Sequence, residues 1–225
     1  MPRRSSIFDM IGPVMIGPSS SHTGGVARIG RVAHHLLGGQ PEQVTITFYN
    51  SFARTYEGHG SDRAILGGLL DFKPDDERIK TAYDHAKEAD LQFKMKAVSN
   101  ASALHPNSIL LDMVRGDKKL KVLGESRGGG VISIVSVDGF DCDFSAANTT
   151  VIVTAEDVEG SIAFITNVIS QGKVNIATMS VKRSGKRGIA KLVMELDHTL
   201  KPITLEYLRS LDWVQDVVYL VDLDI

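Results

Sequence analysis

Apolar residues recur at three- and four-residue intervals through Val26, Ile29, Val32, Ala33, Leu36 and Leu37, and the run stops at Gly38-Gly39. That spacing predicts an amphipathic helix beginning near Thr23 or Gly24. Val44 to Tyr49 alternates Val, Ile and Phe with Thr, the period of a half-buried strand. Further helices are predicted over Asp62 to Leu70 and Asp76 to Lys87, and a short helix and loop over Ile7 to Ile16. Asn50 to Ser61 is polar and Gly-rich and reads as a connection. Leu104 to Ser108 is turn chemistry before the apolar Ile109-Leu110-Leu111. Val114 to Leu120 reads as a hairpin, and Gly128-Gly129-Gly130 precedes a strand over Val131 to Val137.

The pattern changes near Ala146-Ala147-Asn148-Thr149. Beyond it come a strand at Val151 to Thr154 and a helix marked by Ile162, Ile165, Val168 and Ile169. A strand at Val174 to Val181 and a turn at Ser184 to Gly188 follow. The remainder is a returning strand at Ile189 to Leu196, a helix behind Thr204, and a strand over Val214 to Val221. This is βαββαβ, the ferredoxin-like order. The expected fold is therefore α+β: an α/β domain over residues 1–147 followed by a ferredoxin-like domain over 148–225.

Composition narrows the class of function. With 43% hydrophobic and 23% charged residues the chain reads as globular. A formal net charge of -2 gives no global attraction to nucleic acid or to anionic membrane. No apolar run approaches the roughly 20 residues of a membrane span. The short apolar stretch after Met1-Pro2-Arg3-Arg4 is broken by Gly12 and Pro13, which reads against a signal peptide, and a cytoplasmic location is expected. The single cysteine, Cys142, cannot furnish a disulfide within the chain or a set of thiolate ligands for a metal. Asp141 and Asp143 flank it, which should raise its pKa and leave it unreactive. Any thiolate-held cofactor must come from another chain.

Candidate chemistry concentrates in two polar segments. Ser19-Ser20-Ser21-His22-Thr23-Gly24-Gly25 lies at the predicted start of the first helix, where backbone N–H groups and the helix dipole favour an anion such as a carboxylate or phosphate. His22 adds a group able to move a proton near neutral pH. Ser and Thr are equally ordinary caps there. In Gly58-His59-Gly60-Ser61-Asp62 a histidine between glycines leaves room for close approach, and Asp62 could orient an imidazole or cap the next helix. His105, before Pro106, lines a site or shapes a turn. The chain has no P-loop and no GxGxxG motif.

Taken in order, these segments, with His105-Pro106-Asn107 and Ser126-Arg127-Gly128-Gly129-Gly130, resemble the beta subunit of iron–sulfur-dependent L-serine dehydratases along essentially the whole chain. The resemblance implies an N-terminal domain similar to the allosteric substrate-binding domain of some phosphoglycerate dehydrogenases. It also implies a separate alpha subunit holding a [4Fe–4S] cluster, with no metal ligand in this chain. The implied reaction converts L-serine to pyruvate and ammonia without pyridoxal phosphate, in serine catabolism feeding gluconeogenesis. It assigns His59 as the leading base or proton carrier and His22 as the second. Ser19, Ser20, Ser21, Thr23, Gly24, Asp62, His105 and Asn107 become substrate-binding candidates. The C-terminal region resembles an ACT domain, a small-ligand module, through Asp157-Val158-Glu159-Gly160 and Val174-Asn175-Ile176. Asp157, Gly160 and Asn175 would bound its effector site, with Gly160 allowing close backbone approach. Ala155 stands where some serine-binding ACT sites carry a histidine. Such sheets also pair edge to edge, so two copies of the chain could associate through this domain. The alternative is a non-catalytic amino-acid-sensing subunit. A weaker third reading, a dinucleotide-dependent dehydrogenase fragment, lacks its glycine motif.

Overall fold

The helix predicted from the Val26-to-Leu37 spacing runs over Gly25–Leu37 (α1), and its apolar stripe is fully covered. It ends where Gly38 turns left-handed (φ +88) and its N–H returns to the carbonyls of His34 and His35. The computed structural model describes residues 14–100, 102–221 and 223, and it separates into two units, Met1–Asp138 and Gly139–Ile225. The helix and loop expected over Ile7 to Ile16 begin outside the described residues.

In the first unit the strands are β1 (Gln43–Tyr49), β2 (Gln92–Val98), β3 (Ser108–Arg115), β4 (Lys118–Gly128) and β5 (Val131–Val137). Their order in the sheet is β2-β1-β3-β4-β5. β1 and β2 are parallel, whereas β1–β3, β3–β4 and β4–β5 are antiparallel. A parallel pair needs a crossover, and helices supply it. These are α2 (Asn50–Thr55), α3 (Ser61–Leu69), a 3₁₀ turn at Glu77–Thr81 and α4 (Ala82–Glu88). Two of these elements differ from the sequence expectation. Asn50 to Thr55 is helical because Asn50, at φ +51, turns the chain, and Asn50 Nδ2 donates to the Leu104 carbonyl (2.9 Å). β2 went unpredicted although Phe93 and Met95 alternate with exposed Gln92, Lys94 and Lys96; none of its side chains is fully buried, and its strand pairing comes from β1.

Ile46, Phe48, Ile109, Leu111, Met113 and Val122 form the buried face of this sheet, and α1 packs on β3, β4 and β5. Contact between α1 and α3 is set by absent side chains. A Cβ added to Gly68 would lie 2.1 Å from the Ala27 carbonyl oxygen, and one added to Gly30 would lie 2.9 Å from Gly68 Cα. Contacts run in the same sense along both helices. Ala27 and Gly30 meet Gly68, and further on Arg31 Nε and His35 Nε2 each reach Asp71 Oδ1 at 3.0 Å.

The second unit opens with β6 (Phe140–Phe144), which lies against β8 and β9, so the division falls earlier than the 147/148 change of pattern. The elements β7 (Thr149–Glu156), α5 (Ser161–Gln171), β8 (Ile176–Arg183), β9 (Ile189–Leu196), α6 (Pro202–Arg209) and β10 (Val214–Leu220) follow in the expected βαββαβ order. The strands align β10-β7-β9-β8, the ferredoxin-like arrangement, and the protein is α+β as expected. Val151, Val153, Ile165, Ile169, Leu192 and Leu208 fill its core. Ile162, grouped with that stripe by spacing, is instead 41% exposed. Glu195 is buried and satisfied: its carboxylate accepts from the Ser145 N–H (3.1 Å) and hydroxyl (2.9 Å) and from Thr178 Oγ1 (3.1 Å).

Gly68→Ala should therefore lower unfolding stability by about 1–3 kcal/mol or more, the scale of overpacking against rigid backbone. Gly185→Ala, where an added Cβ meets nothing within 4 Å, should change it by less than about 0.5 kcal/mol. Urea unfolding of the two variants makes the comparison.

Candidate active site

The Ser-rich segment does not enter α1 through an ordinary cap. Ser20–Gly24 forms one wide turn in which the Gly25 N–H reaches the Ser20 carbonyl, five residues back. Ser19, in extended conformation, caps it by accepting the His22 N–H on its hydroxyl (3.2 Å). α1 consequently starts at Gly25, one or two residues after the expected Thr23 or Gly24. Such widened turns cluster at functional sites because they present side chains that a regular helix would stack away.

His22 is held from several sides. Its Nδ1 lies 3.0 Å from Ser21 Oγ and 3.3 Å from Ser19 Oγ. Its ring meets Phe52 edge-on at 4.8 Å and its carbonyl accepts from the fully buried Ser61 hydroxyl at 2.6 Å. With the two hydroxyls donating to Nδ1, the neutral ring carries its proton on Nε2, an atom that is buried without a partner. His59 lies 4.8 Å away, ring centre to ring centre, tilted 41°. It is exposed, its backbone N–H bonds the Thr55 carbonyl (3.0 Å), and its Nδ1 lies 3.3 Å from the same oxygen. A carbonyl only accepts, so that bond puts the His59 proton on Nδ1 and leaves the Nε2 lone pair open. Burial, and secondarily the charge of His59, holds the His22 pKa below its ordinary value. The pair thus sorts into one ring whose pKa is held down and one exposed ring whose Nε2 lone pair is open.

The remaining candidates divide. Asn107 stays close to the turn through β4: its carbonyl accepts the Ser126 N–H (3.0 Å), and Ser126 packs on Gly25. His105 Nδ1 accepts the Asn107 N–H (3.2 Å), which makes it a turn-shaping residue, and burial lowers its pKa. Asp62 is not bonded to either histidine. Its Oδ2 accepts from Tyr83 (2.8 Å), whose pKa rises through burial and that bond, and its Oδ1 is buried without a partner. Thr23 Oγ1 donates to the Ser19 carbonyl. Gly24, buried, is the last residue of the wide turn.

In the second unit the effector-site candidates are held by local contacts. Asp157 Oδ2 accepts from Arg183 Nη1 and the Arg187 N–H, both at 3.1 Å, and Asn175 Nδ2 donates to Asp197 (2.8 Å). Gly160 has φ +81 with nothing within 4 Å of an added Cβ, so its backbone conformation and not close approach requires glycine. The Cys142 thiol is pushed up to about 12, chiefly by burial, with Asp143 and Asp141 contributing less than the sequence suggested. Among the described residues no group of three or more His, Cys, Asp or Glu side chains could hold a metal. No helix among them is long and apolar enough to cross a membrane.

Four buried side-chain polar atoms among the described residues have no partner: His22 Nε2, Arg28 Nε, Asp62 Oδ1 and Ser126 Oγ. They lie on or beside the glycine-rich loops that meet at the start of α1, where a ligand would satisfy them. Sequence reasoning missed Arg28 and Phe52 entirely, since nothing in their spacing separates them from helix surface and core.

Residues 6–110 match the family model described as serine dehydratase beta chain. The probable L-serine dehydratase beta chain of Bacillus subtilis is 42% identical over 219 residues, covering 96% of this chain and 98% of that one. The chain belongs to the serine dehydratase beta-chain family. The L-serine dehydratase beta chain of Peptoniphilus asaccharolyticus is 36% identical, with 91% of each chain covered. The ACT domain of a GTP pyrophosphokinase from Chlorobium tepidum aligns with 32% of this chain and 95% of its own, at 26% identity and a TM-score of 0.27. The ferredoxin-like fold of the second unit rests on its own strand order. Within the family's chain, the wide turn and the His59 loop now form one wall.

The unfolded chain titrates its histidines near 6.5, whereas folding holds His22, His34 and His105 below that value. The unfolded state therefore binds more protons as pH falls, and stability should drop as pH decreases through about 6.5. Imidazole C–H resonances should place the His22 midpoint below 6.5, and His59→Ala should raise it only part-way, since burial is the larger cause.

Proposed function

We propose that this chain is the beta subunit of an L-serine ammonia-lyase and carries the proton-transfer wall of its active site. The observation that supports this most directly is the paired imidazoles, His59 with an open Nε2 lone pair beside a half-buried His22 whose pKa is held below its ordinary value. Two bonds must break in serine: Cα–H, which is weakly acidic, and Cβ–OH, whose leaving group is poor. In this reading His59 Nε2 accepts the Cα proton, and His22 Nε2–H faces the substrate as a hydrogen-bond donor. The Cβ–OH bond then breaks, the hydroxide taking the proton that His59 removed from Cα to leave as water, and the resulting aminoacrylate tautomerises and hydrolyses to pyruvate and ammonia. The start of α1 offers the anion-favouring end of a helix to the substrate carboxylate.

The [4Fe–4S] cluster expected from the resemblance does not fit this chain's residues. Its one cysteine is a half-buried thiol held protonated at neutral pH, and no metal-ligand cluster accompanies it among the described residues. The cluster is assigned to a separate alpha subunit, where it would supply Lewis acidity toward the carboxylate and the departing hydroxyl. In this reading copies of this chain are brought together by the second unit, through β8 at the edge of its sheet.

Co-expression with an alpha subunit under anaerobic conditions should give pyruvate from L-serine. In that complex His59→Ala should lower kcat at least ~10²-fold, the low end for losing a general base. Near-normal turnover would remove His59 from the mechanism, and full turnover by the alpha subunit alone would make this chain a sensor. Cys142→Ser should retain turnover, measured by the same pyruvate assay.

A further inference from the structure

Of the hydroxyls expected to bind the substrate carboxylate, those of Ser19, Ser21 and Thr23 are already engaged within the turn. Ser19 Oγ accepts the His22 N–H, Ser21 Oγ lies 3.0 Å from His22 Nδ1, and Thr23 Oγ1 donates to the Ser19 carbonyl. Unengaged polar atoms lie instead on the β4 side of the same turn. Ser126 is fully buried and its hydroxyl has no partner. That hydroxyl aims at the first residue of α1, because a Cβ built on Gly25 would sit 2.3 Å from Ser126 Oγ. Its backbone is fixed on both sides by Asn107, which accepts the Ser126 N–H (3.0 Å) and donates Nδ2 to the Ser126 carbonyl (3.5 Å).

Arg28 follows Gly25 by three residues and so lies on the same face of α1. Its Nη1 donates to the Gly130 carbonyl, while its Nε–H is buried without a partner. An unpaired buried guanidinium N–H is costly, and an anion relieves that cost more effectively than a neutral acceptor. Burial lowers the Arg28 pKa and the neighbouring Arg31 lowers it further. Between Ser126 and Gly130 the loop is nearly bare: Gly128, Gly129 and Gly130 take φ of +91°, +61° and +80°, and a Cβ on Gly128 would meet nothing within 4 Å. Arg127, the one long side chain of that loop, is drawn into an ion pair with Glu125.

We propose that Ser126 Oγ and Arg28 Nε–H, beside the N-terminal turn of α1, form the subsite for the carboxylate of an amino-acid substrate. The identity of that amino acid as serine rests on the function proposed above, whereas the class of ligand, a small carboxylate, rests on the two unpartnered donors. In this arrangement the guanidinium supplies the positive charge, the hydroxyl fixes carboxylate orientation, and the two imidazoles are left for proton transfer. Arg28 and Ser126 act in binding, so their loss should appear mainly in KM.

Two measurements test the subsite separately from the reaction. In nitrogen-15 NMR spectra of the full chain, the Arg28 Nε–H signal, assigned by its disappearance in Arg28→Lys, should shift on titration with D-glycerate and not with ethanolamine, which has no carboxylate. Ser126→Ala should weaken the D-glycerate midpoint about 10-fold, the scale of one charge-assisted hydrogen bond. In the complex with the alpha subunit, Ser126→Ala and Arg28→Lys should each raise KM for L-serine about 10-fold or more with kcat within about 3-fold of the parent, as expected for lost uniform binding. An Arg28 signal unmoved by D-glycerate, or an unchanged KM in both variants, overturns the subsite. A signal that moves while the complex makes no pyruvate keeps the subsite and overturns the reaction.

Discussion

The close approach of α1 to α3 is the constraint on which the rest of the first unit depends. Glycine at 30 and 68 lets two helix backbones meet where any larger residue would strike a carbonyl or an α-carbon. Helices that close, running in the same sense, begin at the same end of the unit. Their leading loops are thereby brought together: the Ser20–Gly24 turn before α1 and the His59 loop before α3. Ser61 locks the arrangement by donating its buried hydroxyl to the His22 carbonyl. A pair of imidazoles 4.8 Å apart is thus a product of helix packing far from either ring.

Around that pair, polar groups fall into two populations. Some are satisfied inside the loops and hold shape, as Ser19 does for the His22 N–H, His105 for the Asn107 N–H, and Tyr83 for Asp62. Others are buried and unsatisfied, and in a folded protein such atoms either carry a stability cost or await a ligand. Residue type does not distinguish the populations: the serine at 19 belongs to the first and the serine at 126 to the second. A site read from the number of hydroxyls in a motif would place the ligand among groups whose hydrogen bonds are already made.

The second unit follows a different logic. Its sheet and two helices close over a well-filled apolar core, and the acidic and amide residues at its turns are held by neighbouring loops. Arg183 and the Arg187 backbone together hold Asp157, so the residue that leads the motif also ties the β8–β9 turn to the start of α5. These are local bonds between partly exposed groups, which a competing charged ligand would displace at modest cost.

Strong periodicity made the α1 stripe, the β1 alternation and the whole βαββαβ order legible, because burial of one face leaves its period in the sequence. The motif segments were legible as polar breaks between apolar runs. α2 and β2 were not: one depends on a left-handed Asn50 hydrogen-bonded to a distant loop, the other is a largely exposed strand given register by its partner. The sequence alone also determined that this chain cannot assemble a thiolate-ligated cluster, since that needs more than one cysteine. Which histidine is the more shielded, which hydroxyls are engaged, and that Arg28 Nε and Ser126 Oγ are buried without partners were decided only by tertiary structure. Those properties depend on distances between residues up to a hundred positions apart, and a linear pattern of side-chain types carries no record of such distances.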